Sequence, residues 1–458
     1  MASKSTRLNK INKVDVTSDT LSDRAGLAAM ANFISGTKLP KALATVLKDL
    51  RKSNKGIRLH EVFLQILSFF CEGDSSHLSA FDEMRGDSSR NSLLNVKQLL
   101  GTAQLKRLLT KIEPKHLNVL RPFIQEVTLT AMKENNPSVI TLFLDSTAYN
   151  NDDAKCRGGC KLTYKKFKGY HPLNLVWDGM LLDTLFRSGE KHSNHGTHAL
   201  DMIRDSVSNI RRVIGEDTPI IILMDSGFYD QKVFDLCDDI GVGFVSSAKM
   251  YSDLKKVKAT NSIDMQRYSN KDCVWAYCEF VDKRETWDKG YYGLYLRALE
   301  KDGEPLLGLD DRTIVTNLGE YNNVGRLLIE VGHGHLLQAQ EIIKMDHSRG
   351  GGELTFRSIK EFSDEKMPCL DYCANAIWYY LSTLAFNLFQ AFKRKVASHL
   401  FVHNCYPNTV RRKLFDIAGK IVRSGKQITL KITSYNMQRL DFSEIWRKSL
   451  IPWDVIPS

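Results

Sequence analysis

The chain has 458 residues, a length that predicts two to four domains, and its composition, 43% hydrophobic and 26% charged, is that of a globular protein and argues against disorder. Lys and Arg number 64 against 53 Asp and Glu, a net charge of +11; this suits a polyanionic partner, because neutralised phosphates release counterions, and equally a mildly basic enzyme with no nucleic acid. Nine cysteines, an odd count spread along the chain, predict reduced thiols and a cytoplasmic setting rather than a disulfide scaffold.

Met1 to Val14 is polar and basic with no apolar run behind it, so no export signal is expected. From Leu21 to Asn135 the pattern is helical, with segments at Lys41–Lys52, Leu59–Cys71 and Lys115–Lys133 separated by polar turns. Leu99 to Ile112, around Gly101, has the pattern of a helix–turn–helix. Asn135, Asn136 and Pro137 end this region, and residues 1–135 are predicted to form a helical, DNA-binding N-terminal domain.

The period then changes. Ser138 to Leu144 reads as a buried strand that ends in Asp145. Leu173–Trp177 and Met180–Phe186 are strands joined by Asp178-Gly179, a hairpin signal. His198 to Ile214 places Leu200, Ile203, Val207, Ile210 and Ile214 on one helical face. Pro219 to Met224 is a second buried strand ending in an aspartate, Asp225, and a helical segment from Gln231 and a strand at Val242–Ser246 follow. Strand, hairpin, helix, strand, helix, strand is the order of an RNase H-like fold, a mixed sheet flanked by helices. Strand C-termini line the crevice of such sheets, so neighbouring strands would set Asp145 beside Asp225.

Residues 136–250 are therefore the first part of an α/β core. Residues 251–345 read as a β-rich insertion domain, with strands at Val274–Val281, Tyr291–Glu300 and Arg312–Leu318 and turns at Asp288–Gly290 and Asp302-Gly303. The second part of the core, 346–400, carries a helical pattern resuming at Glu353. Its most apolar run, Ala376 to Phe392, is broken by Ser382, Thr383, Asn387 and Gln390, which predicts a buried helix and no membrane span. Residues 401–458 form a basic C-terminal region with Arg411, Arg412, Lys413, Lys420, Arg423, Lys426 and Lys431.

Transfer of a phosphodiester between oxygens suits two magnesium ions roughly 3.5–4 Å apart, held by a few carboxylates because magnesium takes hard oxygen ligands. Asp145 and Asp225 supply two, and Glu353 is the candidate for the third. In helical register Arg349, Glu353, Arg357 and Lys360 share one face, a carboxylate flanked by cations suited to phosphates. A solvated, salt-bridged helix face has the same pattern. Glycines 350 to 352 weaken the helix just before Glu353, so Arg349 is expected on the approach to it. Between Lys155 and Tyr170, Lys155, Arg157, Lys161, Lys165, Lys166 and Lys168 alternate with Tyr164, Phe167 and Tyr170, which fits a distorted or single-stranded DNA end or simply an exposed basic loop.

Asp145 to Thr147, Lys168 to Leu173 and Met224 to Tyr229 resemble the blocks around the first two acids of bacterial insertion-sequence DDE transposases, the class with a β-strand insertion before the glutamate. Arg349, Glu353 and Lys360 match the family signature of Arg, three residues, Glu, six residues, Lys. Ser22 to Leu27, Asp311 to Leu318, Ala374 to Ala376 and Leu384 to Asn387 extend the resemblance over most of the chain. It implies catalysis by Asp145, Asp225 and Glu353 with two magnesium or manganese ions, contacts to terminal phosphates by Arg349 and Lys360, and cut-and-paste excision. It further implies a homodimer on paired double-stranded DNA ends, acting on terminal inverted repeats and target DNA, and in some relatives a DNA hairpin. Trp275 and Trp287 in the insertion would then be candidates to stack on a flipped base, although a strand tryptophan more often packs in a core. One position departs: the signature places a tyrosine three residues before the arginine, where this chain has Asp346. Either another residue takes that phosphate contact or the site is impaired.

Two metal patterns fail. His192, His195 and His198 lack a matching ligand set, and Cys156 with Cys160, like Cys369 with Cys373, has the wrong spacing for zinc. No P-loop or dinucleotide fingerprint occurs, so no nucleotide cofactor is expected. The competing readings are an RNase H-like nuclease without strand transfer and a transposase-derived DNA-binding protein with an impaired site.

Overall fold

The structure, a computed structural model, describes residues 11, 13–53, 55–153, 156–249, 265–269, 274–300, 304, 306, 308, 310–363 and 365–457, without the side chains of Glu353 and Ser363. Lys155 and the turn expected at Asp302-Gly303 lie outside the described residues.

A nine-stranded mixed sheet organises the molecule. Its first five strands are β1 (Ile140–Ser146), β2 (Leu173–Trp177), β3 (Met180–Leu185), β4 (Ile220–Met224) and β5 (Gly243–Ser247). They lie in the order β3-β2-β1-β4-β5, with β2 antiparallel to its neighbours and β1, β4 and β5 parallel. That is the RNase H-like order. The β2–β3 turn works because Asp178 and Gly179 adopt φ of 46° and 74°, the left-handed geometry a two-residue hairpin needs.

Helices α1 (His198–Ile214) and α2 (Gln231–Asp239) cover one face of the sheet, where Ile203, Val207, Ile210, Val233 and Phe234 pack on Ile140, Leu142, Ile222 and Met224. On the other face, Ile342 and Ile343 of the long helix α3 (Ala339–Ser363) join Ile221, Leu223 and Val245. Alternation along each strand sends successive side chains to opposite faces, so Phe143 and Asp145 face α3, as do Leu223 and Asp225.

Two boundaries differ from the sequence reading. Strands β6 (Gln266–Ser269), β7 (Val274–Asp282), β8 (Tyr291–Leu299) and β9 (Arg312–Thr316) do not form a sheet of their own: β9 pairs antiparallel with β5, Ile314 opposite Ser247, and the core sheet simply continues. The N-terminal helices likewise share one core with α4 (Tyr372–Lys395), in which Phe33, Phe63, Phe69 and Phe81 meet Trp378, Phe389 and the C-terminal Phe415 and Trp453. The polar residues that interrupt α4 knit it to its neighbours. Asn387 receives the Leu181 amide at 2.9 Å and donates to the Leu181 carbonyl at 2.7 Å. None of the helices in the described residues is long and apolar enough to cross a membrane.

The basic C-terminal stretch is folded. Gly419–Ser424 and Gln427–Ile432 form a hairpin that Thr20–Ser22 extends to three strands. Arg411 is buried, donating to the Cys71 and Phe70 carbonyls at 3.0 and 2.8 Å at the end of the helix Leu59–Glu72. Those orphan helix carbonyls need donors, and Arg411 supplies them.

Candidate active site at the sheet–helix cleft

Parallel register brings the aspartates together. Leu144 of β1 lies opposite Met224 of β4, so the next residues, Asp145 and Asp225, stand at adjoining positions on neighbouring strands. Asp145 accepts the Ser146 amide at 2.6 Å and is half-buried. Asp225 caps the short turn Ser226–Phe228 by accepting the Gly227 amide at 2.8 Å. Burial pushes the Asp225 carboxyl above the usual carboxylate range, against the Gly227 amide and the positive charges of Arg349 and Lys249.

Helix α3 closes the cleft, which Phe143, Leu144, Asp145, Leu223, Asp225, Arg349, Gly352 and Phe356 line. It runs unbroken from Ala339 through glycines 350 to 352, so Arg349 sits on the helix and not, as expected, on its approach. The reason is close packing: a β-carbon at Gly352 would lie 3.1 Å from Phe143 Cδ1, and tertiary contact outweighs the low helix propensity of glycine. Glu353 follows Gly352, which lines the cleft, and lies four residues after Arg349, the spacing of one helical face. Its side chain lies outside the described residues.

The two strand-end aspartates fit a hard divalent cation. Carboxylate oxygens are the donors magnesium and manganese take, and a carboxyl whose charged form is disfavoured by burial gains from added positive charge. Among the described residues no three of His, Cys, Asp or Glu form a metal-holding group; the third member expected here is Glu353.

The remaining predicted residues divide. Lys360 donates to the Ala148 carbonyl and pairs with Glu365, both at 3.0 Å, just beyond the Asp145 end of β1. Arg357 is exposed beside Tyr406 and shares an open, charged pocket with Lys360. Lys165, Lys166 and Lys168 are exposed on the segment before β2. Tyr170 sits otherwise than expected, and Trp275 and Trp287 take the core positions that a tryptophan more often has. Tyr170 is fully buried, its hydroxyl donating to the Gly158 carbonyl at 2.9 Å and accepting from Asn375 at 3.0 Å. Trp275 packs on His347 with ring centroids 4.8 Å apart, and Trp287 on Tyr229 at 5.2 Å. In this arrangement those rings fill cores.

Tyr164 differs from the buried aromatics: it is 62% exposed, its ring lies 5.1 Å from that of His171, and partial burial and the negative charges of Asp145 and Asp225 push its hydroxyl up. Sequence reasoning missed Arg187 and Ser193. The buried Arg187 donates to the His171, His192 and Ser193 carbonyls at 2.9, 3.2 and 3.2 Å, which sets Ser193 Oγ 2.7 Å from Ser146 Oγ beside Asp145. An arginine at the end of an apolar strand was the sole signal.

An RNase H-like sheet with paired carboxylates at its central strand ends, faced by a helix bearing Arg349 and Lys360, is the architecture of the DDE recombinases. A family model described as Transposase DDE domain group 1 matches residues 5–448, and the chain belongs to that family. No curated protein matches it in sequence. Among solved structures it is similar to a piggyBac transposase in a synaptic complex with hairpin DNA, at 10% identity and a TM-score of 0.39 over 96% of this chain and 89% of that one.

Proposed function

We propose that this chain is a metal-dependent DNA transposase that cleaves the ends of an insertion sequence and joins them to a target by cut-and-paste transposition. The observation that carries the reading is the adjoining position of Asp145 and Asp225 at the ends of β1 and β4, across a narrow cleft from Arg349 and Gly352, the residue before Glu353.

Asp145, Asp225 and Glu353 would hold two magnesium or manganese ions, which supply the charge that favours attack on, and departure from, the scissile phosphorus. The chain's own residues position the DNA. Arg349 can grip a phosphate oxygen at the mouth of the cleft, since a guanidinium offers a planar fork of donors. Lys360 reaches the same strand further along once a phosphate displaces Glu365 from its ammonium. Lys165, Lys166 and Lys168 track the backbone, and exposed Tyr164 offers a ring to an unpaired base beside the acids. Cleavage adds water across the P–O3′ bond and leaves a 3′-hydroxyl, which then attacks the opposite strand or target DNA and releases another 3′-hydroxyl. The helical region up to residue 135 would bind the terminal inverted repeats, and two copies would pair the two ends in the bacterial cytoplasm.

The test uses DNA flanking the reading frame as substrate. Asp225→Ala should lower end cleavage by about 10³-fold or more, the loss expected when a metal contact worth several kcal/mol disappears, while binding of the same DNA persists. Cleavage at the parental rate by the purified variant would refute the assignment.

A further inference from the structure

Asp346 stands where the signature has a tyrosine, and it is built into the site. It is 5% exposed, and its Oδ1 accepts from Ser247 Oγ at 3.0 Å and from Arg349 Nη1 at 3.3 Å. Arg349 Nη1 also donates to Ser247 Oγ. Ser247 ends β5, the strand beside β4 and Asp225. One residue from the helix and one from the sheet thus clasp a single nitrogen of the Arg349 guanidinium. Arg349 also lines the cleft with Asp145 and Asp225, and its charge acts on Asp225.

An arginine next to two carboxylates is drawn onto them, where it would neutralise the acids and spend its donors. A buried carboxylate behind it opposes that collapse. Among the described residues, every bond drawn from Arg349 uses Nη1, and a guanidinium carries five donors in one rigid plane.

We propose that Asp346, acting with Ser247, is a positioning residue that holds Arg349 beside the Asp225 carboxylate but off it, with its remaining donors directed to a phosphate of the cleaved strand. Asp346 thereby gives the position that departs from the signature a role in a working site. This inference rests on the transposase reading above.

The experiment compares Asp346→Asn, Asp346→Tyr, Ser247→Ala, Arg349→Ala and the double variant Asp346→Asn/Arg349→Ala in single-turnover cleavage and in binding of element-end DNA. Asp346→Asn should slow cleavage about 10²-fold, the scale of a small misplacement of a contact group. Its DNA binding should stay equal or tighten, because one negative charge beside the strand is gone. In the Arg349→Ala background it should slow cleavage no further, the coupling expected of residues that act as one unit. Asp346→Tyr, which lacks the carboxylate, should slow cleavage at least as much as Asp346→Asn, and Ser247→Ala should show a smaller loss of the same kind. A purely structural role would lower binding and cleavage together; that outcome, a parental rate in Asp346→Asn, or independent multiplication of its effect with Arg349→Ala would overturn the proposal. Should Asp346→Asn fail to fold, Ser247→Ala with parental cleavage overturns it equally. If Asp225→Ala also cleaves normally, the transposase reading falls; if Asp225→Ala is dead and Asp346→Asn is normal, only this inference does.

Discussion

Two aspartates in the same sheet have opposite surroundings. Asp183 on β3 is fully buried, and Arg121 from the helix Pro114–Asn135 meets it with two bonds, at 3.0 and 2.5 Å. Burial pushes its carboxyl up and the Arg121 guanidinium pulls it back. Asp225 at the end of β4 is also raised by burial, yet among the described residues no cation pairs with it directly, and Arg349 and Lys249 act only through their charge. A buried charge matched on the spot holds a fold together. One left under-compensated at the edge of a cleft has room for the charge of a bound cation.

The contrast breaks first on activity. Asp225→Ala should abolish cleavage and leave the fold, whereas Asp183→Ala or Arg121→Ala should destabilise the protein by about 3–5 kcal/mol, the cost of stranding one member of a buried ion pair. Urea unfolding of the three variants measures this, and an Asp183→Ala protein as stable as the parent would erase the distinction.

Metal should act on one aspartate and not the other. Magnesium at about a hundred times its dissociation constant should stabilise the parent by about 2.7 kcal/mol, and should leave Asp225→Asn largely unmoved in a thermal melt. The pH dependence sharpens this. The folded Asp225 carboxyl titrates above its unfolded value, so its contribution to metal-free stability is present in acid and is lost as pH rises through that raised value. Asp225→Asn has no proton to lose. In EDTA at pH 7 its melting midpoint should lie above the parent's, and the gap should close below about pH 4, where the aspartate is protonated in both states.

The smallest effect concerns the glycines of α3. Nothing stands within 4 Å of a β-carbon at Gly351, while one at Gly352 meets Phe143 at 3.1 Å. Gly351→Ala should stabilise by about 0.5–1 kcal/mol through helix propensity alone. Gly352→Ala should gain less or lose, because the helix there rests against the sheet.

Much of this was legible in the chain. Asp145 and Asp225 announced themselves as aspartates at the ends of apolar strands, and the β2–β3 hairpin was marked by Asp178-Gly179, because both signals are local. What escaped depends on partners distant in sequence. The glycines suggested a break before Glu353, since helix propensity counts neighbours along the chain and not the sheet packed against Gly352. Strands β6 to β9 read as a separate domain because nothing in their alternation says that Ile314 will pair with Ser247. Arg411 and Tyr170 looked like surface groups for the same reason: the carbonyls and the amide that bury them come from other parts of the chain. Asp346 was visible only as a departure, and its meaning appeared with Ser247 beside it.

The central claim is that Asp145, Asp225 and Glu353 converge on divalent ions in the cleft under α3. Anomalous diffraction from crystals grown with manganese tests it directly. The account predicts peaks bridging Asp145 and Asp225 and within ligand distance of Glu353 in the parent protein, absent in Asp225→Asn. Manganese bound elsewhere, or a Glu353 carboxylate turned out of the cleft in the loaded crystal, would contradict it.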